Sequence, residues 1–274
     1  MLGSWFKRWR TERTLQRRAI PDTLWQLTLA RFPFLDLPHG HDAARLRELS
    51  TLFLASKEFT GAAGLEVDDA MAVAIAAQAC LPILNLGLEC YDSFVGIVVH
   101  EDAVVARREV MDDDGVVHEY DEELSGEAMH GGPVMLSWRD VADAGESAVD
   151  GYNVVVHEFV HVLDMRNGDA DGVPVLPDRA ALDEWVRVLG AEYDAFCAQV
   201  DAGEETLLDP YAAEAPEEFF AVSAEAFFVA PLEFRVEHPA FYEMLRGYFQ
   251  QDPAERHRVA NEKGARMGPF GRQT

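Results

Sequence analysis

The residues most able to do chemistry lie in the segment Tyr152–Gly168, whose sequence is YNVVVHEFVHVLDMRNG. It contains the pattern H-E-x-x-H at His157, Glu158 and His161. On an α-helix, residues four apart project from nearly the same angle, so both imidazoles can bind one ion while Glu158 stays close beside it. A zinc site with three protein ligands keeps a fourth position for water, and the carboxylate can take that water's proton. The pattern therefore predicts His157 and His161 as metal ligands and Glu158 as general base.

The surroundings of the pattern bear on whether it is a metal site or a chance match. Five-residue patterns with two free positions recur by chance. Here valines at 154–156, 160 and 162, together with Phe159 and Leu163, make the segment apolar nearly all round, which is typical of a buried helix. Burying polar groups without partners costs about 1–3 kcal/mol each, and metal ligation would satisfy both imidazoles. The context therefore favours a metal site.

Two histidines need a third protein ligand, and the residues alone leave several candidates. They are Asp164, Glu192, Glu218, Glu225 and His238. Asp164 follows His161 by three positions on the same helix, so a hydrogen bond to an imidazole suits it better than ligation. Asn167 stands where one class of zinc peptidases has its third histidine. That leaves a carboxylate from a separate helix.

Charge and cysteine content exclude several classes of protein. The chain has 274 residues, 49% of them hydrophobic, which suffices for a substantial core. Its 49 acidic and 23 basic residues give a net charge of -26, which repels nucleic acids and anionic membranes over most of the surface. The three cysteines form no C-x-x-C motif, so no disulfide framework is indicated and a reducing cytoplasm is expected.

The N-terminal residues differ in composition from the rest. Trp5, Phe6 and Trp9 lie among several arginines and a lysine, without the apolar run of a signal peptide. Such a segment could lie on an anionic membrane surface, but a solvated arm is the simpler interpretation. We therefore predict a basic aromatic arm at 1–19, a single domain at 20–254 and a polar tail at 255–274.

The scaffold around the metal helix is predicted to be mostly helical. Periodic apolar residues predict helices at Pro21–Leu35, Ala43–Thr60, Asp68–Leu88 and Leu182–Val200, with further helices opening at Pro216 and past Pro231. The stretch from Ala70 to Leu88 has no charged residue and approaches the length of a membrane span. Because Gln78 and Pro82 interrupt it, we predict a buried core helix instead.

Between residues 94 and 138 the pattern changes to short β-type runs. These are Val95–His100, Val116–Tyr120 and Val134–Trp138, with a turn at 112–115. The whole pattern predicts an α+β fold with a small mixed sheet beside the H-E-x-x-H helix. Zinc peptidases bind an extended substrate along an exposed sheet edge, for which Gly132–Leu136 is the candidate. An interior position for this strand fits the sequence equally well.

Several longer motifs between Leu81 and Pro253 carry a family resemblance. They are LPILNLGLE at Leu81–Glu89, GPVMLSW at Gly132–Trp138, HEFVHVLDMRNGD at His157–Asp169, DPYAAEAPEEFFAVSAEAFF at Asp209–Phe228 and QQDP at Gln250–Pro253. In this order they resemble the Mlc titration factor A family, the glucose-regulated zinc peptidases of bacteria. The basic N-terminus and the acidic 112–129 region do not contribute to the resemblance.

The resemblance implies a zincin-like fold with Zn²⁺ bound by His157, His161 and Glu218, the last from a downstream Y-A-A-x-x-P-x-E segment. It implies that Tyr211 hydrogen-bonds the carbonyl oxygen as it becomes an oxyanion, and that short peptides are cleaved by an aminopeptidase-like activity. Enterobacterial members are also implied to bind the glucose repressor Mlc. A regulatory protein that sequesters an Mlc-like transcriptional repressor is therefore the second hypothesis.

Overall fold

A computed structural model describes residues 2–38, 40–111 and 117–258, with the backbone alone at 2–7, 105–111 and 117–123. The α-helices in these ranges are α1 (Leu2–Arg17), α2 (Asp22–Arg31), α3 (Gly40–Ser56), α4 (Asp69–Cys80), α5 (Trp138–Ser147), α6 (Val154–Asp164), α7 (Arg179–Asp201), α8 (Pro216–Val229), α9 (Pro231–Glu237) and α10 (Pro239–Phe249). The strands are β1 (Glu58–Gly61), β2 (Gly96–His100), β3 (Val104–Met111), β4 (Val117–Leu124), β5 (Gly126–Ala128) and β6 (Val134–Ser137).

Four strands form one mixed sheet in the order β1-β2-β6-β5. β2 pairs in parallel with both β1 and β6, whereas β5 pairs antiparallel with β6. β3 and β4 form a separate antiparallel pair. Ile97 and Val99 of β2 are fully buried, as alternating residues on the core face of a sheet should be. The prediction of a mostly helical α+β fold with a small mixed sheet is confirmed.

The predicted helix Ala43–Thr60 is wrong at its C-terminal end. Helix α3 ends at Ser56, and β1 follows from Glu58. Phe59 of β1 pairs with Ile97 of β2, which lies far away in sequence. The local apolar pattern continues through this boundary, so only the pairing with β2 distinguishes strand from helix.

Of the two positions that the sequence leaves open for the strand at Gly132–Leu136, the structure shows the interior one and not the exposed edge. Strand β6 occupies part of this range and lies between β2 and β5. The outer position beside β6 belongs to β5, a three-residue strand that the sequence pattern did not reveal. The predicted turn at 112–115 falls outside the described residues.

Helix α4 is the buried core helix that the sequence predicts, although it ends at Cys80 rather than near Leu88. The Asp68 side chain caps its N-terminus by accepting a hydrogen bond from the backbone N–H of Met71 at 2.8 Å. Every residue from Val73 to Cys80 is buried. None of the helices within the described ranges combines the length and apolar character needed to cross a bilayer.

Helix α6 carries the H-E-x-x-H pattern and lies at the centre of the core. Asn153 caps it by accepting a hydrogen bond from the backbone N–H of Val156 at 2.9 Å. The helix packs against α4, α5, α8 and the sheet. On its core face, the ring of Phe159 lies 5.0 Å from that of Tyr91 and 5.6 Å from that of Phe53. These aromatic contacts fix the rotation of α6, so that His157 and His161 turn towards α8.

Candidate metal centre

Three side chains from two helices converge on one point. His157 and His161 extend from α6, and Glu218 extends from the first turn of α8. One donor atom of each lies within 4.8 Å of the others. Pro216 opens α8, which fixes the backbone there, and the acidic Glu218 suits the positive end of the helix. The packing of α6 on α8 thus brings together residues about 60 positions apart in sequence.

The spacing of the three donor atoms fits a metal ion. Nε2 of His157 lies 3.1 Å from Nε2 of His161 and 3.1 Å from Oε2 of Glu218, and the remaining separation is 3.4 Å. Ligands at 2.0–2.2 Å around a tetrahedral ion are separated by about 3.3–3.6 Å. Oε2 of Glu218 is buried and has no hydrogen bond of normal geometry. A cation between the three atoms would satisfy this oxygen.

Glu225, two turns further along α8, orients the first histidine. Its Oε1 lies 2.8 Å from Nδ1 of His157. A carboxylate that accepts a hydrogen bond from Nδ1 leaves the lone pair of the neutral imidazole on Nε2, facing the other two donors. The other oxygen of Glu225 accepts a hydrogen bond from the backbone N–H of Asn153. Sequence reasoning considered Glu225 only as a metal ligand, although its place on the same face of α8 as Glu218 was a usable signal.

A buried hydrogen-bond network extends from this contact into the core. The side-chain amide of Asn153 donates to Oε1 of Gln78 on α4 at 2.8 Å. Gln78 is fully buried, and its own amide donates to the carbonyl oxygen of Ala74. This network ties the start of the metal helix to α4 and α8 together.

The electrostatics of the cluster favour a positive charge at its centre. Burial alone lowers the pKa of His157, but its close contact with the Glu218 carboxylate and its hydrogen bond with Glu225 outweigh burial and raise that pKa well above its usual value. Burial raises the pKa of Glu218, yet close contacts with the two histidines hold it well below its usual range. The three groups therefore stabilise a cation, whether a proton or a metal ion.

Glu158 lies beside the cluster and is 5% exposed. Burial raises its pKa, and the nearby histidines only partly oppose that effect. Gly126 of β5 leaves the room for it: a Cβ on Gly126 would lie 2.5 Å from Cγ and Oε1 of Glu158. Sequence reasoning missed Gly126, because β5 itself was not predicted.

Two cavities meet at Glu158 and provide access to the cluster. The larger, of ≈ 500 Å³, extends from His157 towards Tyr152 and Leu208. The smaller, of ≈ 240 Å³, extends past Ala128 and includes His161 and Glu218. Tyr211 lines both, is 38% exposed, and has its ring centroid 6.3 Å from that of His157. An extended molecule could therefore lie along β5 across the cluster.

The other candidate ligands have different partners. Oε2 of Glu192 accepts a hydrogen bond from Nδ1 of His238 at 2.9 Å. Asp164 does not hydrogen-bond an imidazole, contrary to the prediction. Its Oδ2 instead accepts hydrogen bonds from the backbone N–H groups of Asp171 and Gly172, at 3.1 and 2.8 Å. The reason is that the chain turns back after α6 and offers these two backbone N–H groups to the carboxylate.

Comparison with known proteins assigns this chain to a family. The family model for glucose-regulated metallo-peptidases M90 matches residues 6–250. The match covers most of the chain, and the chain belongs to this family. The metallopeptidases are thus the class to which it is assigned.

Curated relatives lie within the same family. Mlc titration factor A of Salmonella paratyphi A is 36% identical over 259 residues, covering 93% of this chain and 95% of the relative. Mlc titration factor A of Escherichia coli O17:K52:H18 is 35% identical over 263 residues, covering 93% and 94%. That of Salmonella arizonae is 37% identical over 238 residues, covering 86% and 93%. The resemblance drawn from the sequence motifs is confirmed.

Proposed function

We propose that the chain is a zinc-dependent, aminopeptidase-like metallopeptidase with a zincin-like fold. The observation that carries the proposal is the convergence of His157, His161 and Glu218, with Glu158 buried beside them. Two imidazoles and one carboxylate are the ligand set of several catalytic zinc sites, which keep one position open. When bound, zinc supplies a Lewis acid that polarises a water molecule and the carbonyl of the scissile peptide bond.

The protein's own residues move the protons. Glu158 takes a proton from the attacking water as the new C–O bond forms, and then gives it to the leaving amine as the C–N bond breaks. A buried carboxylate with a raised pKa suits both roles, because its pKa lies closer to the working pH. Tyr211 donates a hydrogen bond to the carbonyl oxygen as negative charge develops on it. Glu225 keeps His157 in the tautomer and orientation that ligation requires.

Strand β5 binds the peptide backbone in this proposal. It occupies the outer position of the sheet and packs against α6. An extended peptide can add to such an edge through main-chain hydrogen bonds, which hold it in register without demanding a particular sequence. The cavities on either side of Glu158 then receive the side chains that flank the scissile bond.

We further propose that residues 20–254 form one catalytic domain that works in the cytoplasm. The two metal-binding helices share one continuous core with α2–α5, α7, α9 and α10. All three cysteines are free thiols, as a reducing compartment requires.

The decisive test replaces the general base. Glu158→Gln keeps the size of the side chain but cannot accept the proton, so we expect kcat to fall by roughly 10²–10⁴-fold. Zinc content, measured by elemental analysis, should stay that of the wild type, because Glu158 is not a ligand. Glu146→Gln, on an exposed position of α5, is the matched control and should leave both quantities unchanged.

Paired reporters distinguish the mode of cleavage. Aminoacyl reporters with a free amino group should be hydrolysed, whereas the same reporters with a blocked amino group should not. Equal cleavage of blocked peptides would replace the aminopeptidase assignment with an endopeptidase. Full activity of Glu158→Gln would contradict the mechanism altogether.

The names of the relatives favour a second function. Because they are Mlc titration factors, we propose that this chain also binds an Mlc-like transcriptional repressor. Binding should survive Glu158→Gln, since that change preserves the surface and the metal ligands. A repressor that binds the wild type but not the variant would mean that binding and catalysis share one site.

A further inference from the structure

Positive charge is concentrated at one end of this acidic chain. Six of its 23 basic residues lie within the first 18 positions, against one of its 49 acidic residues. That acid, Glu12, pairs with Arg8 at 2.9 Å. The other arginines of this segment therefore form a basic region on a chain that is otherwise strongly negative.

Helical spacing arranges these arginines as a stripe. Arg10, Arg13 and Arg17 of α1 follow the i, i+3, i+7 pattern that lies on one helical face. They span about 10 Å along the helix axis. Together with Arg18, Thr14 and Ala55 of α3, they line a cavity of ≈ 320 Å³ between the two helices. We call Arg10, Arg13, Arg17 and Arg18 the arginine stripe.

The stripe differs from several other exposed arginines. Arg139, Arg179 and Arg187 each pair with a carboxylate, at 2.6, 2.7 and 2.6 Å. Within the described part of the chain, no ion pair with a carboxylate is formed by any arginine of the stripe. Arg13 lies over the ring of Trp9, with its guanidinium carbon 5.1 Å from the ring centroid. Such stacking holds the guanidinium plane while leaving its N–H donors available.

Four like charges around one cavity cost free energy, because they repel one another at close range. A bound anion would remove that cost. Guanidinium groups offer forked N–H pairs that match the oxygens of phosphate bidentately. Several linked phosphates would present enough oxygens to engage all four arginines within one small cavity.

We propose that the arginine stripe is a binding site for a compact, phosphate-rich anion such as a polyphosphate or the triphosphate of a nucleotide. The acidic surface of the rest of the molecule favours a small ligand. An extended polyanion would meet that surface and be repelled, whereas screening over about 8 Å at physiological salt lets a small ligand interact mainly with the stripe.

Titration calorimetry of the full chain with inorganic triphosphate tests the proposal. Wild type should bind it saturably, and Arg13→Gln/Arg17→Gln should bind at least about tenfold more weakly, because the variant loses two guanidinium groups that form charge-assisted hydrogen bonds. Arg139→Gln/Arg179→Gln changes the net charge equally and should bind like wild type. Any binding of triphosphate at the His157 centre would contribute equally in both double variants, because neither changes that centre. Circular dichroism verifies that α1 stays helical.

Three outcomes would overturn the proposal. The first is no saturable binding by wild type. The second is an equal loss in both double variants, which means that net charge alone matters. The third is that anionic phospholipid vesicles or duplex DNA bind in a stripe-dependent manner while triphosphate does not. A nucleoside triphosphate that binds more tightly than inorganic triphosphate would support the site and extend it to the base.

Discussion

At the scale of single residues, the position of Glu158 depends on the absence of a side chain opposite it. The carboxylate lies against the backbone of Gly126, closer than any Cβ would permit. Burial raises the pKa of this carboxylate. A general base must also lie within hydrogen-bond reach of the proton it removes. The contact with β5 therefore sets the position of the Glu158 carboxylate.

Gly126→Ala tests that contact. The added methyl group would lie 2.5 Å from Cγ of Glu158, so the carboxylate must move. We expect kcat/KM to fall on the order of 10²-fold, as small misplacements of catalytic groups do. Metal content should be unchanged, because the ligands are not displaced. Gly190→Ala on α7 is the control, since a Cβ there meets nothing within 4 Å. A Gly126→Ala enzyme with wild-type kinetics would show that Glu158 is not the base.

At the scale of elements, the end of α6 is coupled to the beginning of α8. Asp164, the last residue of α6, holds the loop at Gly172 through a hydrogen bond of 2.8 Å. Gly172 has a φ of +78° and lies against the carbonyl of Pro216, the first residue of α8. Trp185 of α7 donates its indole N–H to the carbonyl of Gly172 at 2.8 Å. This loop therefore helps to place Glu218 against the histidines.

Asp164 should give the stability of the protein a distinct pH dependence. Burial raises its pKa to about 6, from 3.8 as the usual value. The folded chain then binds more protons than the unfolded chain between about pH 4 and 6, so this group's contribution to the free energy of unfolding falls as pH rises through that window. The loss amounts to about 3 kcal/mol at most.

Asp164→Asn should remove that decline. The free energy of unfolding of wild type and variant can be measured with denaturant at several pH values, with chelator present. From pH 4 to 6, the free energy of unfolding of the variant should rise relative to that of wild type. Asp183→Asn, an exposed residue of α7, should run parallel to wild type. A constant difference between Asp164→Asn and wild type over this range would contradict the inferred titration.

At the scale of the whole molecule, the candidate metal centre joins two helices that are distant in sequence. Its candidate ligands come from α6 and α8, which pack together and share the core with α4 and α7. A metal that binds the folded chain but not the unfolded chain stabilises the folded state by about 4 kcal/mol at a concentration 1,000-fold above the Kd. If residues 20–254 form one cooperative domain, the bound metal should stabilise the whole domain against unfolding.

Chelation should therefore lower the melting temperature of the entire domain. For a chain of this size, about 4 kcal/mol corresponds to a shift of roughly 8–16 °C. Calorimetry should show one transition that moves as a unit when Zn²⁺ is restored. The melting temperature of the Glu218→Gln variant should rise much less when Zn²⁺ is added. Two transitions, of which only one responds to the metal, would divide the proposed domain.

The amount that could be predicted from sequence differs between helices and strands. Helices α4 and α7 were predicted within a few residues at their N-terminal ends, because their caps and apolar periodicity are local features. Strand β1 was predicted as helix, and β5 was not predicted at all. Strands depend on partners elsewhere in the chain, and β1 and β5 are only four and three residues long. The interior position of β6 likewise follows from its neighbours.

The sequence by itself determined the local half of the candidate site. The spacing of His157, Glu158 and His161 places two imidazoles and a carboxylate together on any helix, because the helical repeat is fixed by the backbone. The residues left the third ligand open, and only the family resemblance selected Glu218. Tertiary structure decided what lies around that helix: Glu218 and Glu225 on one side, Gly126 on the other, and Asp164 turned away to the loop. Those contacts depend on which elements pack together, and that is set by burial of the whole apolar core rather than by any spacing along the chain.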